Sequence, residues 1–178
     1  MRFARDLLLI EIETTGPSPE KDFPIQLAAI LLDRDNLLEK LAFNTYIKHP
    51  FSQTTNDRIV QTLGIPKELW MRAPNMKTVV TEFKATFQYN VTLASQNIMN
   101  INFLQEAFKR TGTPYEFDYH ILELWTVGYL YTAKQNIKKL PTAETIAELF
   151  KLSREKEHDA LATARFHADI LRKLGSRI

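Results

Sequence analysis

Residues 7–16, with the sequence LLLIEIETTG, are the segment that best predicts the fold of the chain. The first four residues form an apolar run that is typical of a buried strand. Glu11 and Glu13 follow at the end of the run, and side chains at positions i and i+2 of a strand face the same side. A Thr-Thr-Gly turn comes next, where Gly16 permits backbone geometry that other residues resist. We therefore expect both carboxylates to point into one pocket at the strand end.

Paired carboxylates at a strand end suit a hard divalent cation such as Mg²⁺ or Mn²⁺. The alternative is an exposed acidic edge on an ordinary strand. This segment alone leaves both interpretations open.

The composition bounds the class of protein. The chain has 178 residues with 44% hydrophobic and 25% charged residues, a net charge of +2 and no cysteine. This length suits one domain, residues 1–178, with a sizeable core. The absence of cysteine excludes disulfides and thiolate metal sites and agrees with a cytoplasmic location. The N-terminal apolar run is too short for a secretory signal and no run reaches transmembrane length, so we expect no membrane partner.

The order of predicted elements indicates an α/β fold. Strands are expected over residues 6–13, 25–32 and 38–47, with short links that favour an antiparallel meander. A short strand at 91–94 and a fifth strand at 115–119 follow among helices. The helical predictions cover 56–63, 75–89, 100–111, 121–133, 142–150 and 155–174. We expect a central mixed β-sheet with helices packed on it.

Three motifs on these elements resemble the DEDDh 3′–5′ exonucleases, a family with the ribonuclease H-like fold. The family sequence Asp-x-Glu-Thr-x-Gly corresponds to residues 11–16. The second motif corresponds to residues 94–104, which places Asn100 where the family has Asp. The third, His-x-Ala-x-x-Asp-Ala, corresponds to residues 158–164, with Thr163 at the Asp position. The resemblance implies a ribonuclease H-like fold over nearly the whole chain.

The resemblance also implies a metal site, and this chain departs from it. In the family four carboxylates hold two divalent metals and a histidine acts as general base. Glu11 and Glu13 keep acidic groups, whereas Asn100 and Thr163 do not. Asp159 is a candidate substitute because it lies one helical turn before Thr163.

The catalytic positions implied by the family are Glu11, Glu13 and His158. The alternative for His158 is a loop histidine that caps the last helix. With the ligand set reduced, we expect Mg²⁺ or Mn²⁺ to be weakly bound or absent.

Contacts to nucleic acid are expected at Thr14 and Thr15, which resemble family residues that contact the terminal nucleotide. Ordinary turn chemistry is the alternative for both. Phe103 and Trp70 are candidates for stacking on a base, with core packing as the alternative.

These departures predict a degenerate 3′–5′ exonuclease that binds single-stranded nucleic-acid ends and hydrolyses them weakly or not at all. One alternative is an active metal-dependent exonuclease with an unusual ligand set. The other is a protein-interaction module with a protein partner and no nucleic-acid role.

Overall fold

The computed structural model describes residues 2–87, 90–153 and 159–177, apart from the side chain of Gln53. The described residues form five strands and seven helices. The strands are β1 (Leu7–Thr14), β2 (Pro24–Leu32), β3 (Glu39–Tyr46), β4 (Thr92–Ser95) and β5 (Ile121–Glu123). The helices are α1 (Gln53–Thr62), α2 (Lys67–Arg72), α3 (Met76–Thr86), α4 (Ile98–Arg110), α5 (Leu124–Lys134), α6 (Ala143–Phe150) and α7 (Ala160–Gly175).

The strands form one mixed sheet in the order β3-β2-β1-β4-β5. β1 pairs antiparallel with β2, and β2 pairs antiparallel with β3, which confirms the predicted meander. β4 joins the other edge of β1 in parallel, and β5 joins β4 in parallel. The prediction of a mixed sheet covered by helices is therefore confirmed.

Alternation along β1 divides the core into two layers. Leu8 and Ile10 belong to a cluster that includes α3 and α4 residues such as Phe83 and Leu104. Leu7 and Leu9 belong to the cluster that includes α7. Because side chains alternate along a strand, Glu11 shares the α7-facing side with Leu7 and Leu9.

The predicted fifth strand at residues 115–119 is wrong. These residues are described and form no strand, and the sheet is completed instead by β5. Tyr115 and Phe117 pack edge-on against Phe108 of α4, with centroid distances of 5.4 and 6.1 Å. Aromatic packing in the core thus explains the strand-like composition of this segment. Residues 121–123, expected to begin a helix, form β5.

Two helix starts position the site. α4 begins at Ile98, two residues earlier than predicted, because the side chain of Asn97 accepts a hydrogen bond from the backbone N–H of Met99. α7 begins at Ala160 with Asp159 as its N-cap.

Among the described residues, none of the helices combines the length and the hydrophobicity that a membrane-spanning segment needs.

Candidate active site

A cavity of about 220 Å³ lies where β1 ends. Its walls come from β1, the segment that enters α4, the start of α6, and α7. Four of the predicted ligand positions line it together: Glu11, Glu13, Asn100 and Thr163. Elements distant in sequence thus bring these side chains to one place.

Within this cavity, the carboxylate of Glu11 is held by other side chains of the protein. Its Oε1 lies 2.5 Å from Nδ1 of His167. Its Oε2 accepts a hydrogen bond from Nδ2 of Asn100 at 3.0 Å, and the same amide lies 3.3 Å from the carbonyl oxygen of Ile10. The side chains of His167 and Glu11 are only 3% and 9% exposed. Both oxygens of this carboxylate are therefore occupied inside the protein.

His167 is a site residue that the sequence motifs do not predict. It lies on α7 four residues after Thr163, and positions i and i+4 share a helix face. The family motif ends at residue 164 and therefore does not include position 167. A polar residue on an otherwise apolar face of α7, between Ala164 and Leu171, was the available signal.

Asp159 does not join this group. Its Oδ1 accepts hydrogen bonds from the backbone N–H groups of Leu161 and Ala162, both at 3.0 Å. It lines a different cavity, of about 610 Å³, together with Glu39 and Arg165. The prediction that Asp159 compensates for Thr163 is therefore not supported by its position, since capping α7 turns the carboxylate toward the helix backbone.

The donors present do not fit the two-metal site that the resemblance implies. Within residues 2–87, 90–153 and 159–177, no group of three or more His, Cys, Asp or Glu side chains is arranged to hold a metal ion. Asn100 offers a neutral amide whose nitrogen points at Glu11, and Thr163 offers a hydroxyl. Glu11 already has two partners. The predicted base, His158, lies outside the described residues.

Thr14 and Thr15 organise the loop that follows β1. Thr14 Oγ1 donates to the carbonyl of Gly16 at 2.8 Å. Thr15 Oγ1 lies 3.3 Å from Asp22 Oδ1 and accepts from the backbone N–H of Phe23 at 3.0 Å. Turn chemistry therefore accounts for both hydroxyls. The pair also lines a second cavity.

This second cavity has a volume of about 410 Å³ and lies between the β1–β2 loop and α1. Half-buried Phe23 and Phe51, 5.1 Å apart between ring centroids, contribute to an apolar wall. Exposed Lys21 and Arg58 stand at its edge. The cavity thus combines aromatic rings, hydroxyl groups and two cations.

Both candidate stacking residues are buried, which corrects that prediction. Phe103 is 1% exposed and Trp70 is 3% exposed. Trp70 packs with Ile25, Ile59 and Ile65. A ring without an exposed face cannot stack on a base, and core packing explains both residues.

The chain matches known exonucleases in sequence and structure. A family model described as exonuclease matches residues 8–171. The PolC-type DNA polymerase III of Bacillus subtilis is 22% identical over 168 residues, which cover 94% of this chain but only 11% of that protein. The 3′-5′ exonuclease crn-4 of Caenorhabditis elegans is 30% identical over 92 residues, 49% of this chain and 30% of that protein.

Solved structures share the fold. The crystal structure of cell-death related nuclease 4 (CRN-4) superimposes with a TM-score of 0.80 and 21% identity, over 97% of this chain and 64% of that one. The nuclease domain of 3′hExo, a DEDDh family member bound to rAMP, superimposes with a TM-score of 0.78 and 14% identity, over 99% of this chain and 94% of that domain. Because the family model spans most of the sequence and the sheet has the same architecture, the chain belongs to the exonuclease family and has the ribonuclease H-like fold of the DEDDh 3′–5′ exonucleases.

Proposed function

We propose that this chain is a degenerate 3′–5′ exonuclease domain that binds single-stranded nucleic-acid ends and hydrolyses them very slowly or not at all. The observation that supports it most strongly is the state of Glu11, whose two carboxylate oxygens are engaged by His167 and Asn100. Each of these hydrogen bonds uses one of the lone pairs that a metal ion would need, so metal coordination at Glu11 has to compete with them.

The charge balance argues in the same direction. Two divalent cations bring four positive charges, whereas Glu11 and Glu13 bring two negative charges. Asn100 and Thr163 add oxygen atoms but no charge. Uncompensated metal charge in a partly dry cavity is costly, so the site favours at most one weakly bound Mg²⁺ or Mn²⁺.

The 410 Å³ cavity beside Thr14 and Thr15 supports a binding role. Its volume lies within the range of about 300–1,000 Å³ that is usual for small-molecule sites. Arg58 and Lys21 offer positive charge to a phosphate, and Phe23 and Phe51 offer apolar surface to a base or sugar. The structural relative 3′hExo was solved with rAMP, which supports a nucleotide as the ligand class.

Hydrolysis is tested with a 5′-labelled single-stranded DNA and RNA oligonucleotide in Mn²⁺ or Mg²⁺. We expect no 3′ shortening above that of a Glu13→Ala variant, because the first ligand position is occupied and two others lack charge. Strong metal-dependent shortening that disappears in Glu13→Ala would instead establish an active exonuclease with an unusual ligand set.

Binding is tested separately by fluorescence anisotropy at low salt with the same oligonucleotides. We expect weak binding that decreases as salt is raised, since phosphate contacts release counterions. Arg58→Ala should weaken it, whereas Arg72→Ala, at the end of α2 and outside the cavity lining, should not. The absence of binding at high protein concentration would favour a protein-interaction module.

A further inference from the structure

The Glu11–His167–Asn100 network has a role beyond blocking a ligand position. We propose that it is a metal-independent strut, in which the imidazole of His167 and the amide of Asn100 replace a divalent cation in tying β1 to α7 and α4. His167 is then a positioning residue that keeps the cavity closed to metal. The inference rests on the proposed function only in taking Glu11 as the first ligand position of the family.

The strut joins three elements that are remote in sequence. Glu11 on β1 meets His167 on α7, 156 positions away, and Asn100 on α4, 89 positions away. Asn100 also reaches the carbonyl oxygen of Ile10 on β1. A buried carboxylate needs donors in place of the water it has lost, and these two side chains supply them.

The glutamate at position 11, where the family has aspartate, fits this role. A glutamate side chain extends its carboxylate by one methylene, roughly 1.5 Å further than aspartate. With an aspartate at position 11, the separation of 2.5 Å from His167 would grow to about 4 Å, which is too long for a hydrogen bond. The longer side chain, which is unfavourable for the family's metal geometry, is therefore what allows the contact with α7.

The surroundings of His167 strengthen the contact. The imidazole stands between the 220 Å³ cavity and a small cavity of about 10 Å³. The small cavity is lined mainly by apolar side chains, including Leu124, Ile146 and Ile170. Hydrogen bonds to a charged group are stronger in such a weakly polarisable environment than in water, and losing one partner there is correspondingly costly.

A double-mutant cycle in thermal denaturation tests the strut, using Glu11→Leu, His167→Leu and the double variant, each in EDTA and in Mn²⁺. We expect the unaltered protein to show the same Tm in both conditions. The Tm of each single variant should be lower by on the order of 10 °C, because the polar group that remains buried has lost its partner. The double variant should lose much less than the sum of the two.

Two further variants serve as controls for the double-mutant cycle. His167→Asn retains an amide donor near the position of Nδ1 and should recover part of the Tm that His167→Leu loses. His120→Leu removes a histidine from an exposed pair with Asp118, where the side chains are 71% and 28% exposed. A surface pair contributes little, so His120→Leu should shift Tm by no more than about 2 °C.

Mn²⁺ provides the second measurement. Removing His167 frees an oxygen of Glu11 beside Glu13, so Mn²⁺ should raise the Tm of His167→Leu but not that of the unaltered protein. Additive single-variant effects, or a Tm of the unaltered protein that rises with Mn²⁺ as much as that of His167→Leu, would overturn the strut. Oligonucleotide hydrolysis alone would overturn only the proposed function, because the cycle measures coupling between side chains and not activity.

Discussion

At the scale of single residues, the neutral side chain of Asn100 matches the carboxylate beside it, because an amide can donate a hydrogen bond to Glu11. Its amide nitrogen lies 3.0 Å from Glu11 Oε2 and donates to it. An aspartate there would set a second carboxylate oxygen against the first. The amide is therefore the residue type that a metal-free cavity requires at this position.

We expect Asn100→Asp to lower the stability of the metal-free protein, since a donor becomes a repelling acceptor. The loss should be about 1–3 kcal/mol, the usual cost of leaving a buried polar group without its partner. Mn²⁺ should recover part of it by bridging the two carboxylates. Asn102→Asp, at an exposed position of the same helix, is the matched control for added charge and should change stability little. Equal losses in both variants, measured by urea denaturation, would contradict this role of Asn100.

The sequence predicted which residues line the cavity better than it predicted what they contact. Alternation along β1 placed Glu11 and Glu13 together, and the motifs added Asn100 and Thr163. The partner of Glu11 was not predictable from those motifs, because a contact across 156 positions depends on how α7 lies on the sheet. For Gly16 the sequence predicts a turn residue with special backbone geometry. Its requirement is space, because a Cβ there would lie 2.6 Å from the carboxylate of Asp22.

At the scale of secondary structure, the start of α7 is fixed from two sides. Asp159 caps the helix through the N–H groups of Leu161 and Ala162. The side chain of Gln26, buried on β2, accepts a hydrogen bond from the N–H of Ala160 at 3.2 Å. The cap and the contact with the sheet together fix the position of α7 along its axis, and with it the positions of Thr163 and His167 in the cavity wall.

Replacing Asp159 separates its capping role from the metal role that the sequence suggested. Asp159→Ala should cost about 1 kcal/mol, typical for a lost N-cap, and lower Tm by roughly 2–4 °C in a domain of this size. Asp159→Asn should remain close to the unaltered protein, because asparagine is an equally good cap. If Asp159 held a metal ion, Asn would abolish Mn²⁺ binding while preserving Tm, and calorimetric titration of Mn²⁺ distinguishes the two roles.

Local patterns located most elements, and their failures have a common cause. Apolar runs separated by short turns predicted β1, β2 and β3, and the helices predicted over residues 75–89 and 142–150 overlap α3 and α6, which the structure shows to be capped by Asn75 and Thr142. The strand predicted at residues 115–119 and the helix start predicted at 121–123 are wrong because aromatic and apolar residues suit a strand, a helix or a packed loop equally well. Only the pairing of β5 with β4 and the aromatic cluster around Phe108 decide between them.

At the scale of the whole molecule, an aromatic cluster links the β1–β2 loop to the segments around it. Phe23 and Phe51 flank the buried ring of His49, with centroid distances of 4.9 and 5.2 Å. Nε2 of His49 lies 2.7 Å from the carbonyl oxygen of Pro24. Arg110, at the end of α4, lies 4.8 Å from the centre of the Phe23 ring and donates to the loop carbonyls of Asp22 and Pro19. Two of these rings also line the 410 Å³ cavity.

This cluster predicts how stability depends on pH. Burial lowers the pKa of His49 below its ordinary value of 6.5; the hydrogen bond to Pro24 opposes this shift and the nearby Arg110 adds to it. As pH falls through 6.5, the unfolded chain takes up a proton at this residue before the folded protein does. The contribution of His49 to stability is therefore complete above pH 6.5 and declines below it, by at most about 1.4 kcal/mol per pH unit.

His49→Gln tests this dependence, because its amide can donate to the Pro24 carbonyl and does not titrate. We expect the Tm of the unaltered protein to fall between pH 7 and pH 5, and the fall to be shallower in His49→Gln even if that variant is less stable at pH 7. The difference in slope isolates His49, since all other titrating groups are the same in both proteins. Parallel slopes would mean that the folded protein accommodates a charged imidazole between Phe23 and Phe51. Phe23 and Phe51 also form part of the cavity wall. Oligonucleotide binding should therefore weaken over the same pH range only if protonation of His49 displaces these two rings.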